Sequence, residues 1–154
     1  MKLEWMNHTG FVVNDMERSL EFYRDLLGLQ VETDGIREGE DISKIVGYPD
    51  AKLRAVYLGT GDLRHSVELI EYINPPGGKI SPTERNAVGA THLGIIVDDL
   101  EALYADLTSK GVEFVGPPVV RPDRTLYARK VCYLHDPDGN LLEFLEGSPE
   151  LRYY

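Results

Sequence analysis

One short pattern occurs twice in this chain, and each copy holds a His near its start and a Glu near its end. The first runs from Asn7-His8-Thr9-Gly10-Phe11-Val12-Val13 through Asp15-Met16 to Val67-Glu68-Leu69-Ile70-Glu71. The second runs from Thr91-His92-Leu93-Gly94-Ile95-Ile96-Val97 through Asp99-Leu100 to Leu142-Glu143-Phe144-Leu145-Glu146. His8 maps onto His92 with a shift of 84 residues and Glu68 onto Glu143 with a shift of 75, so the copies differ mainly in loop length. A repeat that keeps the same polar residue at the same strand position predicts two equivalent modules, related by a pseudo-twofold axis that brings those positions together.

Periodicity fills in each module. In the first, a largely apolar strand spans about residues 5–13, Asp15 is placed to cap a helix, and Met16, Leu20, Tyr23, Leu26 and Leu27 recur at helical spacing. Gly28 is the expected stop. A short strand near residues 29–33 is followed by residues 34–50, rich in Gly and charge, which read as a long excursion and a possible lid. Strands over 52–59 and 66–73, joined by a turn containing Thr60-Gly61-Asp62, complete β-α-β-β-β. The Pro75-Pro76-Gly77-Gly78 stretch has linker composition. The second module then repeats the order: a strand over 90–97, an Asp98 or Asp99 cap, and a helix buried through Leu100, Leu103, Tyr104 and Leu107 and ended by Gly111. After residues 112–115 and a Pro-rich loop come strands over about 125–134 and 141–146, with His135-Asp136-Pro137-Asp138-Gly139-Asn140 as the turn between them.

A chain of 154 residues with 42% hydrophobic content suffices for a single domain. It is organised as module 1 (about 5–73), a linker (about 74–89) and module 2 (about 90–147). A net charge of −10 without a Lys/Arg cluster argues against nucleic acid, whose affinity rests on cationic contacts to phosphate. No apolar stretch is long enough for a membrane span, and the single cysteine, Cys132, has no internal disulfide partner. A reducing cytoplasm is the expected setting.

The chemistry follows from side-chain alternation. His8 shares a strand face with Gly10 and Val12, Glu68 with Ser66 and Ile70, and Glu143 with Leu141 and Leu145. A carboxylate among such neighbours is expensive to bury unless it is paired, protonated or bound to a cation. Two imidazoles and two carboxylates form a ligand set suited to Zn, Ni, Co, Mn or Fe(II). Taken singly, His8 or His92 is more often a hydrogen-bonded strand residue than a ligand, and it is the pairing across the repeat that favours a site. Glu71 and Glu146 fall on the opposite face and read as surface charges. His65 and His135 read as loop residues, Cys132 as a small buried hydrophobe, Tyr57, Tyr127 and Tyr133 as packing more than pocket lining, and Arg54 and Arg129 as surface charges.

These residues carry a resemblance to the vicinal oxygen chelate superfamily, which includes glyoxalase I, methylmalonyl-CoA epimerase, extradiol dioxygenases and bleomycin or fosfomycin resistance proteins. It covers nearly the whole chain. Its carriers are His8 to Val13, Ser19-Leu20-Glu21-Phe22-Tyr23-Arg24-Asp25-Leu26-Leu27-Gly28-Leu29, Val67-Glu68-Leu69, His92-Leu93-Gly94 and Asp136-Pro137-Asp138-Gly139-Asn140-Leu141-Leu142-Glu143. The resemblance implies an α+β fold of two tandem βαβββ modules forming a curved, half-barrel mixed sheet. His8, Glu68, His92 and Glu143 match the family's metal-ligand positions, and Glu143 and Glu68 are its candidates for the base. It further implies a small-molecule substrate and a homodimer.

Departures narrow the choice. Val12 stands where glutathione-dependent glyoxalases typically carry Arg, which speaks against glutathione and towards the epimerase branch. The segment Asp41-Ile42-Ser43-Lys44-Ile45-Val46-Gly47-Tyr48-Pro49 is unlike a compact epimerase. Four protein ligands weigh against a dioxygenase, which uses two His and one Glu on Fe(II), and an intact quartet weighs against a metal-free binding protein. A metal-dependent isomerase, epimerase or lyase is the leading expectation. A dioxygenase and a drug- or metabolite-binding protein are the alternatives.

Overall fold

A computed structural model describes residues 2, 4–61, 65–78, 84–121 and 129–147. The chain forms two compact units, Met1–Ile80 and Ser81–Tyr154, each built around its own four-stranded mixed sheet. The two tandem α+β modules expected from the repeat are observed.

In the first unit, β1 (His8–Val13), β2 (Gln30–Glu38), β3 (Lys52–Gly59) and β4 (Ser66–Asn74) lie in the order β1-β4-β3-β2. β1 runs parallel to β4, and β3 runs antiparallel to both of its neighbours. The parallel pair needs a crossover, and helix α1 (Met16–Leu20) opens it. Asp15 caps that helix by accepting from Arg18 N at 3.1 Å, as the sequence predicts. The helical path then widens into a π-helical turn, Glu21–Leu26, in which Leu27 N reaches back to Phe22 O at 3.0 Å. This shifts the buried stripe. Phe22 (4% exposed) and Tyr23 (0%) turn into the core, whereas Leu26 and Leu27, expected there, are only half-buried. Gly28 ends the run with φ +75°, a conformation that a Cβ would penalise.

Residues 34–50 are not the loose excursion that the sequence suggested. Strand β2 continues through Asp34 and Gly35 to Glu38, and helix α2 (Glu40–Val46) follows, stopping at Gly47 with φ +76°. As the edge strand, β2 meets a partner on one side only, so it tolerates charged residues that a central strand would not. Arg54 of β3 fastens it, donating to Asp34 at 2.9 and 2.7 Å and to Glu17 at 2.6 Å. It is therefore an organising residue, more than the isolated surface charge expected. The Thr60-Gly61-Asp62 turn runs beyond the described residues after Gly61.

The second unit repeats the plan. β5 (His92–Val97), β6 (Val119–Val120), β7 (Lys130–His135) and β8 (Leu141–Glu146) lie in the order β5-β8-β7-β6, with β5 parallel to β8. Helix α3 (Leu100–Ser109) is capped by Asp99, which accepts from Ala102 N at 3.0 Å, and Gly111 follows its end with φ +84°. Leu100 and Leu107 are fully buried, while Leu103 and Tyr104 are half-buried. Among the described residues β7 begins at Lys130; the earlier part of the expected 125–134 strand lies outside them, as does Tyr127.

Asp136 organises the turn before β8. Its carboxylate accepts from Asp138 N, Asn140 N and Asn140 Nδ2 at 2.9, 2.7 and 2.8 Å. That explains how a buried Asp is tolerated: each oxygen is satisfied locally. No helix among the described residues is long and apolar enough to cross a membrane.

Candidate functional site

In each sheet, one face packs against helices and the other carries the repeated polar residues. On β1, Phe11 and Val13 are 7% and 1% exposed while Val12, on the face of His8 and Gly10, is 53% exposed. His8 Nε2 lies 3.2 Å from Glu68 Oε2 in the first unit, and His92 Nε2 lies 3.1 Å from Glu143 Oε2 in the second. The four residues singled out by the repeat thus form two like pairs, one in each unit. Among the described residues no group of three or more His, Cys, Asp or Glu that could hold a metal ion is found, so the expected ligands are brought together as pairs and not as a set of four.

The register explains the match. In parallel strands Gly10 stands opposite Glu68, and Gly94 stands opposite Glu143. The glycine leaves the strand face open beside each carboxylate, so the imidazole two residues earlier meets it diagonally. At Gly94 even a methyl group would press on Leu145, with a Cβ only 3.2 Å from Leu145 Cδ1.

A tyrosine completes each arrangement. Tyr57 on β3 is the cross-strand partner of Glu68, and Tyr133 on β7 is that of Glu143. The His8 and Tyr57 rings meet edge-to-face, with centroids 5.3 Å apart and planes at 83°; His92 and Tyr133 repeat both values. Each hydroxyl donates to its carboxylate. Burial first, and then the bond to Glu68, pushes the Tyr57 phenol up to about 12. The Tyr133 phenol is raised for the same reasons, burial and then Glu143. Sequence reasoning read both tyrosines as packing. The missed signal was their shared place on the strand preceding each Glu strand.

The donor chemistry fits a divalent cation. His8 Nδ1 bonds to Asn7 Oδ1 at 2.8 Å, and with its N–H given to that oxygen, Nε2 presents a lone pair to a carboxylate oxygen. Two such acceptors repel unless a proton or a metal ion stands between them. Two ligands held at about 2.0–2.2 Å from one ion stand about 2.8–3.6 Å apart between octahedral and tetrahedral angles, a range that includes the spacing of both pairs. Imidazole and carboxylate without thiolate suit Zn, Ni, Co, Mn or Fe(II).

Beside the first pair lies a feature that the second unit lacks at the matching place. Ser66, opposite His8, donates to Glu32 Oε2 at 2.6 Å, whereas Leu141 stands opposite His92. Glu32 sits where the β2–β3 register shifts, between Val31 and Thr33, and a bulge of this kind re-aims a side chain.

The remaining candidates are structural. His65 bonds to Thr9 Oγ1 at 3.0 Å, and His135 bonds to the Gly139 carbonyl at 3.2 Å, closing its turn. Glu146 does face away from Glu143 but is not a free surface charge. Its Oε2 accepts from Leu100 N at 3.1 Å at the start of α3 and pairs with Lys130 at 3.4 Å. A carboxylate at a helix N-terminus satisfies an otherwise orphaned N–H and meets the positive end of the dipole.

The chain matches the Glyoxalase/Bleomycin resistance protein/Dioxygenase superfamily over residues 5–144, and it belongs to that family. It is 29% identical to lactoylglutathione lyase of Haemophilus influenzae, across 91% of this chain and 90% of that one. It is 28% identical to mitochondrial methylmalonyl-CoA epimerase of Mus musculus, across 94% of this chain and 74% of the relative. Among solved structures, a glyoxalase family protein from Bacillus cereus superposes with a TM-score of 0.81 at 26% identity, covering 96% of each chain.

Proposed function

We propose that this protein is a divalent-metal-dependent enzyme that transfers a proton on a small oxygenated carbonyl compound, as an isomerase, epimerase or lyase. The reading rests chiefly on one observation: two His–Glu pairs with Nε2 and Oε2 at 3.2 and 3.1 Å, repeated in both units. His8, Glu68, His92 and Glu143 are the proposed ligands, for a cation such as Zn, Ni, Co, Mn or Fe(II). Such an ion would act as a Lewis acid, stabilising the negative charge that develops on a carbonyl substrate's oxygen.

The protein's own part is to move the proton. Glu143 and Glu68 are the candidate bases, carboxylates that are mostly buried yet border an open strand face. One of them takes the proton from the carbon next to the carbonyl. Delivery of a proton to the opposite face of that carbon by a second acid gives an epimer, and delivery by the same carboxyl to the neighbouring carbon gives an isomer. Val12, half-exposed on the His8 face, presents no charge there for glutathione. The two relatives named for lyase and epimerase activity support this class. The active unit is proposed to be a homodimer in the cytoplasm.

Incubating metal-loaded protein in D2O with a panel of 2-oxo acids and acyl thioesters tests the proposal. Deuterium should enter next to the carbonyl of at least one compound, and replacing the base, Glu143→Gln or Glu68→Gln, should slow exchange by about 10²–10⁴-fold. Oxygen uptake with a catechol and no exchange would replace this reading with a dioxygenase. Tight binding of an aromatic drug without metal would replace it with a binding protein.

A further inference from the structure

We infer that Tyr57 and Tyr133 are positioning residues for the proposed metal ligands: in each unit one tyrosine aims the Glu carboxylate with its hydroxyl and the His imidazole with its ring. The inference deepens the metal-dependent reading above and rests on it. Tyr57 shares β3 with Val56 and Leu58, both fully buried on the helix side, while Tyr57 itself lies half-buried on the other face. Tyr133 repeats this between Cys132 (4% exposed) and Leu134 (0%). Each ring meets its imidazole edge-to-face, and each tyrosine stands directly opposite its Glu in the strand ladder, where its hydroxyl bonds to that carboxylate.

The double contact has a physical purpose. A Glu side chain carries rotatable bonds whose freedom must be lost when it binds an ion. A hydrogen bond from a fixed phenol removes that freedom beforehand, as outer-shell donors to ligand carboxylates do. The imidazole is held separately, because the edge-to-face contact at 5.3 Å and 83° restricts ring rotation. Since both values recur in the second unit, the repeat preserves a unit of His, Tyr and Glu, not merely two ligands.

Titration of metal-free protein with Co²⁺, followed by visible absorption, separates the two roles. Tyr57→Phe and Tyr133→Phe keep the ring and lose only the hydroxyl, and each should weaken Co²⁺ binding about 10-fold or more with the melting temperature of the metal-free protein little changed. Tyr57→Leu and Tyr133→Leu, which remove the ring as well, should weaken it further. Phe variants that bind Co²⁺ as tightly as the unaltered protein overturn the inference, including where they melt earlier. Failure of the unaltered protein to take up Co²⁺ overturns the metal-dependent reading itself, and the inference falls with it.

Discussion

At the scale of single residues, one carboxylate of the first sheet sits tightly against a glycine. A Cβ at Gly59 would land on Glu32 Oε1, an oxygen that is buried with no hydrogen-bond partner among the described residues. Gly59→Ala should therefore displace Glu32 from Ser66 and cost about 1–3 kcal/mol in urea unfolding. In a Glu32→Ala background the same change should cost little. An equal cost in both backgrounds would show that Gly59 is needed for some other reason. Cys132 offers a second check. Burial pushes its thiol up to about 11, so at pH 8 it is a neutral group 4% exposed and should stay unmodified by a thiol reagent until the protein is unfolded. Stoichiometric reaction of the native protein would contradict that placement. The His and Glu residues were legible in the sequence because a repeat doubles their signal. Tyr57 and Tyr133 were not, since a strand tyrosine looks the same in sequence whether it packs or positions.

At the scale of elements, the helix starts were the clearest features, because Asp15 and Asp99 each precede an apolar periodic run and each does cap its helix. Asp99→Ala should cost about 1 kcal/mol, read as a shift in the urea midpoint at unchanged slope; no shift would mean that Glu146, which holds Leu100 N, alone suffices. The strand ends at Gly59 and Glu146 were also read correctly. What failed was β2 beyond Thr33, where Asp34, Gly35, Arg37 and Glu38 are poor strand formers on any local scale. Tertiary contacts override propensity there, through Arg54 bridging Asp34 and Glu17. The hydrogen bond to Arg54 holds the Asp34 carboxyl below its usual value. Its contribution to stability is thus present above the unfolded value of about 3.9 and is lost as pH falls through the lower folded value. Arg54→Met should flatten this acid limb. An unchanged limb would remove the bridge from the account.

At the scale of the molecule, the chain is a tandem repeat whose two units share a strand order, a capped crossover helix and a His–Tyr–Glu arrangement. Among the described residues, helix α2 and the Glu32–Ser66 pair belong to the first unit. The central claim is that the His–Glu pairs bind a divalent cation. Elemental analysis of purified protein, beside His8→Ala and His92→Ala, tests it most directly. Divalent metal is expected in the unaltered protein and markedly less in either variant, because each variant removes a proposed imidazole ligand. Undiminished metal in His92→Ala would contradict it.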